Sequence, residues 1–221
     1  MTIHVNGVAL YYEKAGAGPP LLLLHGNGES HRIFHGAVAR LAEKFTVYAV
    51  DSRGHGKSAR VRELHYADMA EDIARFIAAL GLERPMLYGF SDGGIVGLQL
   101  AAERPGLLSR LAVSGASLNP NSTSRGWLRF FRAAYALTRG ARWKLMLEEP
   151  DFTAERLARI DAPTLVLAGE RDMILEAHTR AIAGAVPGAR LRILPGENHM
   201  SYVFDGEKLC REILPFFEGG I

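Results

Sequence analysis

Gly89-Phe90-Ser91-Asp92-Gly93 lies between an apolar run, Pro85-Met86-Leu87-Tyr88, and a second apolar stretch from Ile95 to Ala102. The context reads as strand, sharp turn, helix. A serine held at such a junction needs an uncommon backbone conformation, and the flanking strand and helix must approach closely. The glycines at 89 and 93 make room for both, which is the logic of a nucleophile elbow. A serine hydroxyl is a weak nucleophile unless a histidine takes its proton and a carboxylate orients that histidine. Ser91 therefore calls for two partners elsewhere in the chain.

Both partners stand beside strand-like runs. Pro163 to Gly169 is apolar and leads into Glu170-Arg171-Asp172, and Leu191-Arg192-Ile193-Leu194 leads through Pro195-Gly196-Glu197-Asn198, read as a turn, to His199. Asp172 is the expected orienting acid, with Glu170 its nearest rival, and His199 is the expected base. Asp51 ends another strand but opens the loop Ser52-Arg53-Gly54-His55-Gly56-Lys57-Ser58. The acyl-transfer chemistry also needs donors for a tetrahedral oxyanion. The strand Pro20–Leu24 is followed at once by His25-Gly26-Asn27-Gly28, which can turn a backbone N–H toward the elbow. The expected donors are the amides of Asn27 and Asp92. The Asp92 side chain is read first as a first-turn acid complementing the helix dipole; attraction of a substrate ammonium is the alternative.

The loop at His25, the loop from Asp51 to Ser58, the elbow at Gly89–Gly94, Gly169-Glu170-Arg171-Asp172 and Asn198-His199 together resemble the α/β-hydrolase superfamily. The order Ser, Asp, His is the order of that superfamily. Within it the chain is similar to the branch of small carboxylesterases, C–C bond hydrolases and cofactor-free perhydrolases, including valacyclovir-hydrolase-like enzymes. The resemblance implies a serine hydrolase acting on small carboxylic esters, with the C–C and peracid chemistries, or a slowly hydrolysing ligand receptor, as alternatives. It implies no cofactor. It also assigns Asp51 to scaffolding of its loop, and reads His25 as the residue that orients the oxyanion loop.

Strand-like and helix-like runs alternate along the chain: a hairpin from Ile3 to Glu13 turning at Asn6-Gly7, then strands at Leu21–Leu24, Phe45–Val50, Met86–Tyr88, Leu107–Ser114, Thr164–Ala168 and Leu191–Leu194. Helices are expected near Ile33–Ala42, from Tyr66 to Leu80, from the elbow to Glu103, near Glu176–Ala183 and up to Phe217. Apolar strands alternating with helices imply an α/β fold with a mostly parallel sheet flanked by helices, in which ligands meet the carboxyl ends of the strands. Residues 118–160 break the alternation and read as a short helical cap inserted between core segments 1–117 and 161–221. On its helix, Trp127, Phe130, Phe131 and Tyr135 share one face, expected to line an apolar acyl pocket. Arg125, Arg129, Arg132 and Arg139 lie largely on the other face, expected to meet solvent, with a membrane surface or anionic partner the alternative.

Composition narrows the partners. With 221 residues, 48% hydrophobic, the chain can bury a single sizeable core, and 26 basic against 24 acidic residues leave a net charge of only +2. That balance offers nothing to nucleic acid. No run approaches the roughly 18 apolar residues of a membrane span. The N-terminal segment reads as a hairpin strand, and the single cysteine, Cys210, reads as a buried apolar residue rather than half of a disulfide; a cytoplasmic protein is expected. Among eight histidines, His31, His35, His55 and His65 read as surface or loop residues without metal-ligand spacing, so no metal is expected. The expected partner is a small ester, with a homodimer left open.

Overall fold

The computed structural model describes residues 1–219, so Gly220 and Ile221, the end of the second core segment, lie outside the described residues. In chain order the elements are β1 (Thr2–Val5), β2 (Val8–Ala15), β3 (Pro20–Leu24), a 3-10 turn His31–Phe34, α1 (His35–Leu41), β4 (Thr46–Val50), α2 (Tyr66–Ala79), β5 (Met86–Phe90), α3 (Asp92–Glu103) and β6 (Arg110–Ser114). They continue with a 3-10 turn Pro120–Ser122, α4 (Arg125–Thr138), α5 (Ala141–Glu148), α6 (Ala154–Leu157), β7 (Thr164–Arg171), α7 (Glu176–Ala185), β8 (Arg190–Asn198), α8 (Ser201–Phe204) and α9 (Gly206–Phe217).

The eight strands form one sheet in the order β1-β2-β4-β3-β5-β6-β7-β8. β1 and β2 pair antiparallel, and so do β2 and β4, whereas every pair from β4 to β8 is parallel. The hairpin closes at Asn6 (φ 47°) and Gly7 (φ 75°), the paired positive dihedrals of a type I′ turn. This is the mostly parallel α/β sheet read from the sequence.

The apolar runs are continuous because both sheet faces are covered. Leu22 and Leu24 of β3 point into one core with Met69, Ile73 and Phe76 of α2 and Val96 and Leu100 of α3, while Leu21 and Leu23 point into the other with Leu41 of α1 and Leu209, Ile213 and Phe216 of α9. A leucine buried to this degree contributes roughly 1.5–3 kcal/mol relative to an exposed one. Cys210 is buried in the second core, and burial pushes its thiol up to about 11.

Several boundaries differ from the sequence reading: β5 and β7 run on to Phe90 and Arg171, and the first helix is a 3-10 turn followed by α1 from His35. β6 begins at Arg110, since Leu107–Ser109 precede the ladder. β8 continues through the segment read as a turn: after a register shift at Gly169/Arg171 of β7, Arg171 pairs with Asn198. The bulge takes up Pro195 and Gly196 without ending the strand. Residues 118–160 hold the Pro120–Ser122 turn and three helices, tied down by an antiparallel bridge from Thr123 to Ile174.

Candidate active site

Five residues each occupy the first position past a parallel strand: His25 after β3, Asp51 after β4, Ser91 after β5, Asp172 after β7 and His199 after β8. Parallel strands aligned by their ladder end at one edge, so side chains far apart in sequence converge there. The Arg171–Asn198 pairing does this most directly, because the next residue of each strand, Asp172 and His199, then emerge side by side.

Ser91 holds φ 52° and ψ −114°, a region that costs a non-glycine residue of order 1–3 kcal/mol and persists only where the surroundings fix it. Its amide donates to Ser114 O at 2.8 Å and its carbonyl accepts from Ile95 N at 3.0 Å. A Cβ on Gly89 would lie 2.2 Å from Gly93 O, and one on Gly93 would lie 2.1 Å from Leu24 O. The elbow therefore requires both glycines, as the sequence reading supposed.

Ser91 Oγ lies 3.2 Å from His199 Nε2, and His199 Nδ1 lies 2.6 Å from Asp172 Oδ1. The imidazole and the carboxylate are nearly enclosed, with side chains 10% and 2% exposed. Asp172 Oδ1 also accepts from Ile174 N at 2.8 Å, which fixes the carboxylate. A proton on Nδ1 directed at Asp172 leaves Nε2 as an acceptor for the serine hydroxyl. Gly115 sits at the end of β6, and a Cβ there would come within 2.6 Å of His199 Cε1. Glu170, the rival acid, accepts instead from Gly196 N at 2.8 Å.

The loop after β3 is braced from below. His25 donates from Nδ1 to Gly26 O at 2.8 Å and accepts at Nε2 from Ser52 N at 3.0 Å, joining the loops that follow β3 and β4. Burial holds this imidazole down at about 4, so it stays neutral. Asp51 has the scaffolding place expected of it: its carboxylate accepts from the amides of His31 (2.7 Å) and Lys57 (2.8 Å). Asp92 opens α3, so its own amide has no intrahelical acceptor. Its carboxylate is buried, accepting from Tyr66 OH and Asn27 Nδ2, each at 2.9 Å. Burial raises its pKa against the opposing pull of those donors.

A cavity of about 610 Å³ opens over Ser91 and His199. Trp127, Phe130 and Phe131 of α4 line it as expected, joined by Trp143 and Met146 of α5, while Arg125, Arg129, Arg132 and Arg139 face solvent. Tyr135 does not line it. One helical turn beyond Phe131, about 6 Å along the axis, its ring instead packs with the Arg139 guanidinium at 5.4 Å. The sequence reading also missed Trp143, Met146, Arg142, Arg171, Met173 and Met200 at the cavity wall. The Trp143, Met146 spacing of three residues was the available signal. Glu29 was missed as well: it lines the cavity, accepts from Gly26 N at 3.0 Å, and burial pushes its carboxyl up to about 7. His31 and His55, read as surface or loop positions, are buried, and His31 sits against Asp51 at 2.7 Å.

A family model described as the alpha/beta hydrolase fold matches residues 19–142. The chain belongs to this family, as the sequence resemblance implied. An uncharacterized protein of Mycobacterium tuberculosis is 37% identical over 113 residues, which make up 51% of this chain and 33% of that protein. The chain thus spans about a third of that relative's length. The human serine hydrolase BPHL is 28% identical over an alignment covering 96% of this chain and 85% of that protein. Among solved structures, a hydrolase from Pseudomonas aeruginosa PA01 superposes with TM-score 0.81 at 26% identity, covering 98% and 97% of the two chains. An enol-lactonase from Burkholderia xenovorans LB400 shares the fold, with TM-score 0.83 at 21% identity over 99% and 100%. Among the described residues no helix is long and apolar enough to cross a membrane.

Proposed function

We propose that the chain hydrolyses small carboxylic esters through an acyl-enzyme on Ser91. The observation that carries this reading is the continuous path Ser91 Oγ, His199 Nε2, His199 Nδ1, Asp172 Oδ1, at 3.2 and 2.6 Å. Ser91 attacks the ester carbonyl while His199 accepts its proton, and Asp172 holds the imidazole tautomer and stabilises the imidazolium. The amides of Asn27 and Asp92 receive the oxyanion. His199 then protonates the departing alcohol. In the second half a water gives its proton to His199, attacks the acyl carbonyl and releases the acid, restoring Ser91.

Residues 118–160 act as a cap between core segments 1–117 and 161–221, and its aromatic side chains form the acyl wall. Trp127 and Phe130 remain 48% and 52% exposed, so the cap covers the strand ends only in part. Short acyl groups fit such a wall, and methylenes beyond it gain little. The place of action is cytoplasmic. A screen against p-nitrophenyl esters of graded chain length tests the reading: kcat/KM peaks between acetyl and about hexanoyl. A maximum at dodecanoyl with activation at lipid interfaces would overturn the substrate class.

A further inference from the structure

We propose that Glu13, His31 and His35 form a binding site for a divalent transition-metal ion of the zinc class, separate from the Ser91 cavity. None of the three lines that cavity. His31 begins the 3-10 turn that follows the oxyanion loop, His35 stands one turn later at the start of α1, and Glu13 reaches them from β2. One ligating atom from each lies within 4.8 Å of the other two, the only such group of three among the described residues. The histidine spacing of four residues puts both rings on one side of the turn, with centroids 5.8 Å apart. This pairing corrects the reading that the histidines lack metal-ligand spacing.

The decisive group is His31. It is 1% exposed, and its Nδ1 lies 2.7 Å from Asp51 Oδ1. With the proton directed at that carboxylate, Nε2 presents a lone pair. It has no hydrogen-bond partner among the described residues, yet it lies 3.0 Å from Glu13 Oε1, another acceptor. The approach of this buried nitrogen to a carboxylate marks a place that a cation can occupy. A carboxylate behind a histidine, with the far nitrogen and a second carboxylate in front, is the arrangement that orients a metal-ligating imidazole. Bonds of roughly 2.1 Å at tetrahedral angles set ligand atoms about 3.4 Å apart. The half-exposed Glu13 and His35 side chains, 46% and 59% exposed, have room to close that difference, with Glu13 Oε1 also accepting from Tyr11 OH at 3.1 Å. An adjoining cavity of about 250 Å³ leaves room for water to complete the shell. Lys14 borders it but packs over the Tyr48 ring.

The test titrates Zn²⁺, and Co²⁺ as a spectroscopic probe, into untagged, chelator-stripped protein, using calorimetry and visible absorption. We expect one equivalent bound with low-micromolar affinity and visible Co²⁺ bands of a nitrogen and oxygen site. His35→Ala and Glu13→Gln, both at exposed positions, each weaken binding at least about tenfold with unchanged circular dichroism, whereas Ser91→Ala binds like the parent. Absence of saturable one-equivalent binding would overturn the proposal. Binding that survives both variants would overturn it too, since the ion would then sit elsewhere.

Discussion

Asn27 Nδ2 donates to Asp92 Oδ2 at 2.9 Å, so the two residues whose amides are assigned to the oxyanion are also joined through their side chains. Asn27 Nδ2 also donates to Arg142 O of α5, at 3.3 Å. The Asp92 carboxylate is buried between Tyr66 OH and Asn27 and is not among the residues that line the cavity. In the structure this carboxylate braces Tyr66 and Asn27. Asp92→Ala leaves the Tyr66 hydroxyl without its acceptor and Asn27 Nδ2 with Arg142 O alone. We expect a loss of about 1–3 kcal/mol in stability and a fall in kcat with KM little changed. Stopped-flow and steady-state kinetics against denaturant melts check this, and an unchanged kcat would separate the brace from the oxyanion donors.

Gly115 gives the second prediction. At φ +60°, with His199 Cε1 2.6 Å from the point a Cβ would occupy, Gly115→Ala must displace the imidazole or strain the backbone. A shift of about 1 Å in a reacting group costs on the order of 10²-fold in rate. The variant should stay folded by circular dichroism while kcat/KM falls by about that factor. Parent-like kinetics would show that His199 does not need its present seat.

Stability against pH carries a third. Burial holds the Glu29 carboxyl at about 7 instead of 4.5 and the His25 imidazole at about 4 instead of 6.5. The signs oppose. Glu29 takes up a proton more readily when folded, so its contribution is present below about pH 4.5 and is lost as pH rises through 7. His25 takes one up less readily when folded, so its contribution is present above about pH 6.5 and is lost as pH falls toward 4. Glu29→Gln removes the first and leaves the second. The variant should exceed the parent by of order 1–3 kcal/mol at about pH 8 and match it near pH 4.5, read from melts at both values. An equal gap at both pH values would contradict this account of Glu29.

The positions past the strands were legible in the sequence because chemistry and fold used the same signal there. Ser91 follows the fully buried β5 directly and Asp172 follows the buried run of β7 after two exposed residues, so naming those strands nearly named the residues. His199 follows the exposed edge strand β8 and was legible only from its place after the last strand-like run. The cavity wall was less legible. Tyr135 shares a helical face with Phe131, but periodicity gives the direction of a side chain around the axis and says nothing of where along that axis the cavity ends. Trp143 and Met146 come from a second helix whose docking depends on tertiary packing. Glu29 and His31 were hidden for another reason: burial of polar side chains beside loops leaves no apolar periodicity. The extension of β8 through Pro195 and Gly196 required a bulge, which turn-forming residues disguise as a loop end.

Removal of the nucleophile gives a further prediction. Ser91→Ala keeps the fold and loses esterase activity by about 10³-fold or more, because the remaining groups have nothing to acylate. Activity in that variant equal to the parent's would remove Ser91 from the chemistry.

The covalent intermediate tests the role of Ser91 most directly. Parent protein mixed with p-nitrophenyl acetate and acid-quenched within the first turnovers is analysed by intact and peptide mass spectrometry. One acetyl group is expected on Ser91, absent from Ser91→Ala and persisting longer in His199→Ala after chemical acylation. Rapid hydrolysis with no adduct on Ser91, or an adduct on another residue, would contradict that role.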